Sequence, residues 1–145
     1  MGCVWRVGLR EAERCPLKEA MLSKVKVLVI DSSLLDVMKI EKVLHGRGYE
    51  VVRLTSPHGV LAKIDYENPD VLLIDPWTPR LDAPEVLATV ASAPKFEDMV
   101  VVAIGNRDAA TLQAFCVEHD LHGYFSKTMD LDGLGVFLDN FFEEE

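Results

Sequence analysis

Cysteine is scarce: Cys3, Cys15 and Cys116 are the only three in 145 residues, and no two form a Cys-x-x-Cys pair. That spacing excludes a disulfide framework and a zinc cluster, and it points to free thiols in a reducing compartment. Basic residues are also in short supply, 15 against 24 acidic ones, for a formal charge of −9. A chain this acidic repels phosphate backbones and anionic lipid surfaces, so neither nucleic acid nor membrane is an expected partner. No apolar run is long enough to span a bilayer, and the N-terminus has no signal-peptide core. Met-Gly-Cys at the start is no myristoylation signal, because Arg6 stands where Ser or Thr is needed. These absences together describe a cytoplasmic protein.

What is present is ordinary globular composition, 49% apolar and 27% charged. The length allows one domain with a real core and is too short for two. Residues 1–24 stand apart. Arg6, Arg10, Arg14, Lys18 and Lys24 against Glu11, Glu13 and Glu19 make this arm +2, and the rest carries −11 to reach the total. Gly8 and Pro16 interrupt any long helix there. The arm is either an extension ahead of a start at Met21, and disordered, or a basic segment that docks on the acidic body or a partner. The domain proper is expected over residues 25–145.

From Val25 onward, apolar runs alternate with helical periodicity. Strands are expected at Val25–Ile30, Glu50–Leu54, Val71–Ile74, Met99–Ile104 and Gly123–Ser126. Ser33 with Asp36 three residues on has the form of a capping box, and Val37, Ile40 and Leu44 follow on one helical face. Gly46 or Gly48 closes that helix. Ser56-Pro57 predicts a second helix to about Tyr66, Asp82 and Pro84 a third through Val90. The fourth covers about Ala109–Glu118, and the last carries Leu131, Leu134, Phe137 and Phe141. Five strand–helix alternations with double-sided apolar strands predict an α/β fold, a doubly wound parallel sheet with helices on both faces.

Three ionisable residues then fall at the C-terminal ends of strands: Asp31, Asp75 and Lys127. In a sheet of order 2-1-3-4-5 the first and third strands are neighbours at the topological switch point, where ligands collect. Asp75 is a site acid or a turn-capping carboxylate. Asp31 and Asp75 facing each other repel unless a cation lies between them, and all-oxygen ligands point to Mg²⁺. Lys127 would neutralise an anion bound at Asp75.

The set Val-Leu-Val-Ile-Asp at 27–31, Pro-Asp-Val-Leu-Leu-Ile-Asp at 69–75, Thr-Pro-x-Leu-Asp at 78–82 and Gly-Tyr-Phe-Ser-Lys at 123–127 resembles the receiver domain of bacterial two-component response regulators. The resemblance covers about Lys24 to Glu143 and implies a flavodoxin-like fold. It implies that Asp75 accepts a phosphoryl group from a histidine kinase or phosphotransfer protein. Asp31, Asp75 and the Trp77 backbone carbonyl would hold Mg²⁺, and Lys127 would contact the phosphoryl oxygens. A downstream protein would dock on the surface of helix 4, strand 5 and helix 5, with a homodimer left open.

Several positions depart from that pattern. Ser32 replaces the second acid after the first strand, which weakens a Mg²⁺ site. Gly105 stands where the family presents a hydroxyl that couples to an aromatic on the fifth strand, here Tyr124, so the switch pair lacks its hydroxyl. Thr128 replaces the proline after the lysine, and Pro76 removes an amide after Asp75. Trp77 would place a large ring at the site. Arg107 is either a substitute phosphoryl contact or a solvated loop cation. Three readings follow: a stand-alone receiver in phosphorelay signalling with no turnover of an external substrate, a degenerate receiver that binds a partner without phosphorylation, and a Mg²⁺-dependent phosphatase-like enzyme. The enzyme is disfavoured, since no second acid follows Asp75 at the spacing such enzymes use.

Overall fold

In the computed structural model, residues 25–142 are described, so the arm at 1–24 and the terminal glutamates lie outside them. Five strands form one parallel sheet in the order β2-β1-β3-β4-β5. They are β1 (Lys26–Ile30), β2 (Glu50–Leu54), β3 (Val71–Ile74), β4 (Val100–Gly105) and β5 (Gly123–Ser126). The helices are α1 (Leu34–His45), α2 (Val60–Glu67), α3 (Ala83–Ser92), α4 (Ala109–His119) and α5 (Asp132–Phe142). Val27–Ile30 and Val71–Ile74 are buried on both faces, as their unbroken apolar runs require.

Side-chain alternation divides the core in two. Leu28, Ile30, Leu72, Ile74 and Val101 pack with Val60 and Ile64 of α2, Val86 and Val90 of α3, and Phe115 of α4. Val27, Val29, Val71, Leu73, Val102 and Ile104 pack with Val37, Ile40 and Leu44 of α1 and Leu134 and Leu138 of α5. Each fully buried aliphatic side chain contributes roughly 1.5–3 kcal/mol. A polar substitution at Leu72 would therefore break the first layer.

Most helix boundaries follow local chemistry. Ser33, Asp82 and Asp108 cap α1, α3 and α4, each accepting a backbone amide from three residues on. The chain leaves α1 through Gly48, whose φ of +92° suits glycine. The second helix corrects the sequence reading. It begins at Val60 rather than after Ser56-Pro57, because Gly59 is left-handed at φ +72° and the Val60 amide closes a turn on Pro57. The fourth strand runs one residue further than expected, through Gly105, and that shift brings Gly105 into the buried sheet edge.

Candidate functional site

Ladder hydrogen bonds that continue past the strands hold the three strand-end residues in place. The Asp31 amide donates to Leu54 O at 3.2 Å, Asp75 to Ile30 O at 2.9 Å, and Lys127 to Gly105 O at 2.8 Å. All three side chains come together, as the spacing predicted. The Lys127 ammonium lies 2.5 Å from Asp31 Oδ2 and 3.3 Å from Asp75 Oδ2, and its side chain is only 3% exposed.

A third carboxylate completes the set. Asp36 Oδ2 is 2.9 Å from Lys127 Nζ. The sequence reading assigned Asp36 only to a capping box, and the box is half built. The Ser33 hydroxyl accepts the Asp36 amide at 3.3 Å, but the Ser33 amide donates to Asp31 Oδ1 at 3.0 Å instead of to Asp36. The Asp36 carboxylate is thereby released toward Lys127.

Charge in the site follows these contacts. Burial pushes the Asp75 carboxyl up, against the Trp77 amide and Lys127, which favour the anion, while Asp31 adds repulsion; the net direction is upward. Burial alone would pull the Lys127 ammonium down, but hydrogen bonds to Asp31 and Asp36 outweigh it and hold it above its ordinary value. Asp36 is pushed up by burial yet ends below the usual carboxylate range, because Lys127 stabilises its charge more.

The loop after β3 folds back on itself at Asp75. The Trp77 amide donates to Asp75 Oδ1 at 2.9 Å, and the Thr78 amide and hydroxyl donate to Asp75 O at 3.1 and 2.7 Å. Such a turn explains why Thr78 is buried although polar. The Trp77 ring is laid against the end of β4. A Cβ added to Gly105 would sit 2.9 Å from Trp77 Cζ3 and 3.0 Å from Cε3, so indole occupies the space a side chain at 105 would take. On β5, Tyr124 is half-buried and in register with Ala103, on the same sheet face as Gly105.

Arg107 is exposed in the β4–α4 loop, as a solvated loop cation would be, and it also has a partner. Its guanidinium stacks on the Trp77 ring at 4.7 Å, and Trp77 meets Phe115 of α4 at 5.7 Å between ring centroids. Ser126, which the sequence reading passed over, donates from its hydroxyl to Arg107 O at 2.7 Å and ties the β4–α4 loop to β5.

The donor set fits a full divalent site poorly. Ser32 is exposed and uncharged, and among the described residues no group of three or more Asp, Glu, His or Cys side chains is placed to hold a metal ion. The carboxylates are gathered around a cation the chain already owns. No helix among the described residues is long and apolar enough to cross a membrane.

The family model described as the response regulator receiver domain matches residues 27–138. Among solved structures, the chain is similar to the chemotaxis response regulator CheY4 of Vibrio cholerae, at 20% identity and a TM-score of 0.72 over 81% of this chain and 98% of that one. It is similar to the phosphorylated cyanobacterial phytochrome response regulator RcpA, at 22% and 0.65 over 81% and 91%. It is also similar to the receiver domain of a Pseudomonas aeruginosa sensor histidine kinase, which has a magnesium ion coordinated in its active-site cleft, at 16% and 0.70 over 81% and 96%. At these identities the likeness shows the fold alone. No curated protein sequence matches the chain.

Proposed function

Because the chain belongs to the response regulator receiver domain family, we propose that it acts in phosphorelay signal transduction by accepting a phosphoryl group on Asp75. The observation that carries this reading is the Asp75 carboxylate itself: it is half-buried at the sheet edge, with one oxygen on the Trp77 amide and the other facing the Lys127 ammonium. An Asp75 oxygen attacks phosphorus, the bond from phosphorus to the donor atom breaks, and the donor leaves with the electron pair. Lys127 meets the charge on the transferring oxygens, so catalysis rests on positioning and electrostatics. A histidine kinase or phosphotransfer protein is the expected donor, and turnover of an external substrate is not part of the role. We infer that Mg²⁺ at Asp31, Asp75 and the Trp77 carbonyl is held weakly, since position 32 adds no charge. A downstream partner docks on α4, β5 and α5, where Val117 and Val136 are exposed. The cytoplasm is the compartment this role requires.

Gly105 favours a second reading. With no hydroxyl at the end of β4 and indole in its place, the domain would bind a partner without phosphorylation. Incubation with acetyl phosphate and Mg²⁺, followed by intact mass, separates the two. Gain of one phosphoryl group, lost in Asp75→Asn, supports the first. No gain, with partner binding unchanged in the variant, leaves the second.

A further inference from the structure

We propose that Asp36 is a positioning residue for Lys127, fixing the ammonium beside Asp75 in the absence of an acid at position 32. The role rests on the reading of Asp75 as phosphoacceptor. A lysine ammonium is a point charge on a flexible four-carbon stem, and a single anchor leaves it free to swing. Here it has three hydrogens and three carboxylate partners, at 2.5 Å for Asp31, 2.9 Å for Asp36 and 3.3 Å for Asp75. The two shorter contacts come from the end of β1 and the first turn of α1, the longest from the nucleophile. Asp31 and Asp36 thus hold the ammonium by two bonds and leave the third hydrogen directed at Asp75.

Asp36 reaches Lys127 because of the local chain around it. Asp31 accepts the Ser33 amide, which in a complete capping box would have claimed the Asp36 carboxylate. Ser32, directly before the helix N-cap, is exposed and takes no part in the ammonium's contacts. Without Asp36, Lys127 keeps one close anchor and is free to collapse onto the Asp75 carboxylate. It would then pair with the nucleophile instead of awaiting the transferring oxygens. Preorganisation of that kind is lost when a charged group drifts from its place.

The test uses the full chain, labelled with ¹⁵N and ¹³C. In the wild type a through-hydrogen-bond coupling from Lys127 Nζ to Asp36 Cγ is expected; its absence overturns the assignment without any variant. The Lys127 ammonium cross-peak, assigned by its loss in Lys127→Met, is expected to broaden away in Asp36→Asn and to survive in Asp36→Glu. Persistence of the unchanged peak in Asp36→Asn refutes the role. The rate of mass gain from acetyl phosphate is expected to fall on the order of tenfold in Asp36→Asn and to recover in part in Asp36→Glu; an unchanged rate refutes it too. If the wild type gains no mass, the phosphoacceptor reading fails, and the two spectra alone still decide whether Asp36 positions Lys127.

Discussion

Gly105 offers the sharpest quantitative test, because conformation and space pull in opposite directions there. Among the described residues the glycines at positive φ are Gly48 and Gly59, and Gly105 is not one of them. Any residue is therefore conformationally acceptable, and replacing a strand glycine by alanine should stabilise by roughly 0.5–1 kcal/mol. Space says otherwise. The new Cβ falls 2.9 Å from Trp77 Cζ3 and 3.0 Å from Cε3, and Leu112 Cδ2 stands 3.7 Å away. Displacing the ring costs about 1–3 kcal/mol as overpacking, and loosening the Arg107 stack adds roughly 0.5–1 kcal/mol. The clash wins, and Gly105→Ala should lose roughly 0.5–3.5 kcal/mol. In a domain of this size that lowers Tm by about 2–10 °C. Thermal unfolding is the assay throughout, and Trp77 emission reports beside it in the proteins that keep Trp77, with Trp5→Phe in every protein to remove the other tryptophan. The sign should reverse in a Trp77→Ala background, where Gly105→Ala becomes stabilising, and the double-mutant cycle should give a coupling above about 1 kcal/mol. Equal effects in both backgrounds would show that indole does not fill the space at Gly105.

A parallel reversal is expected on the opposite sheet face. A Cβ on Gly135 of α5 would collide with the Arg47 side chain, which pairs with Asp139; urea unfolding should show Gly135→Ala losing about 1 kcal/mol despite the better helix propensity, and gaining in an Arg47→Ala background. A pH series tests Asp75. Burial holds its carboxyl above the ordinary value of 3.8, so the folded chain binds that proton more tightly than the unfolded chain. Asp75 therefore costs stability above that value, and the cost is complete once pH exceeds the folded value. Asp75→Asn should be more stable than wild type near neutrality, with the gain vanishing toward about pH 3; a variant less stable at neutral pH contradicts this.

The sequence by itself determined the architecture and the address of the site. Buried apolar runs such as Val71–Ile74, each ended by a charged residue or a glycine, are short-range patterns. Parallel pairing then forces Asp31, Asp75 and Lys127 onto one edge whatever the details of packing. Cap positions at Ser33 and Asp82 were equally local and legible, whereas the Asp108 cap came only with the structure. The start of α2 was not, because Ser56-Pro57 and Gly59 compete and the left-handed glycine prevails. Tertiary structure alone decided where the decisive side chains point. Trp77 meets Gly105, and Lys127 meets Asp36, only after β3, β4, β5 and α1 have converged. In the sequence Asp36 carried one use, the acidic half of a capping box. That it faces Lys127 instead goes with Asp31 accepting the Ser33 amide and with a buried ammonium from the far end of the chain lying 2.9 Å away.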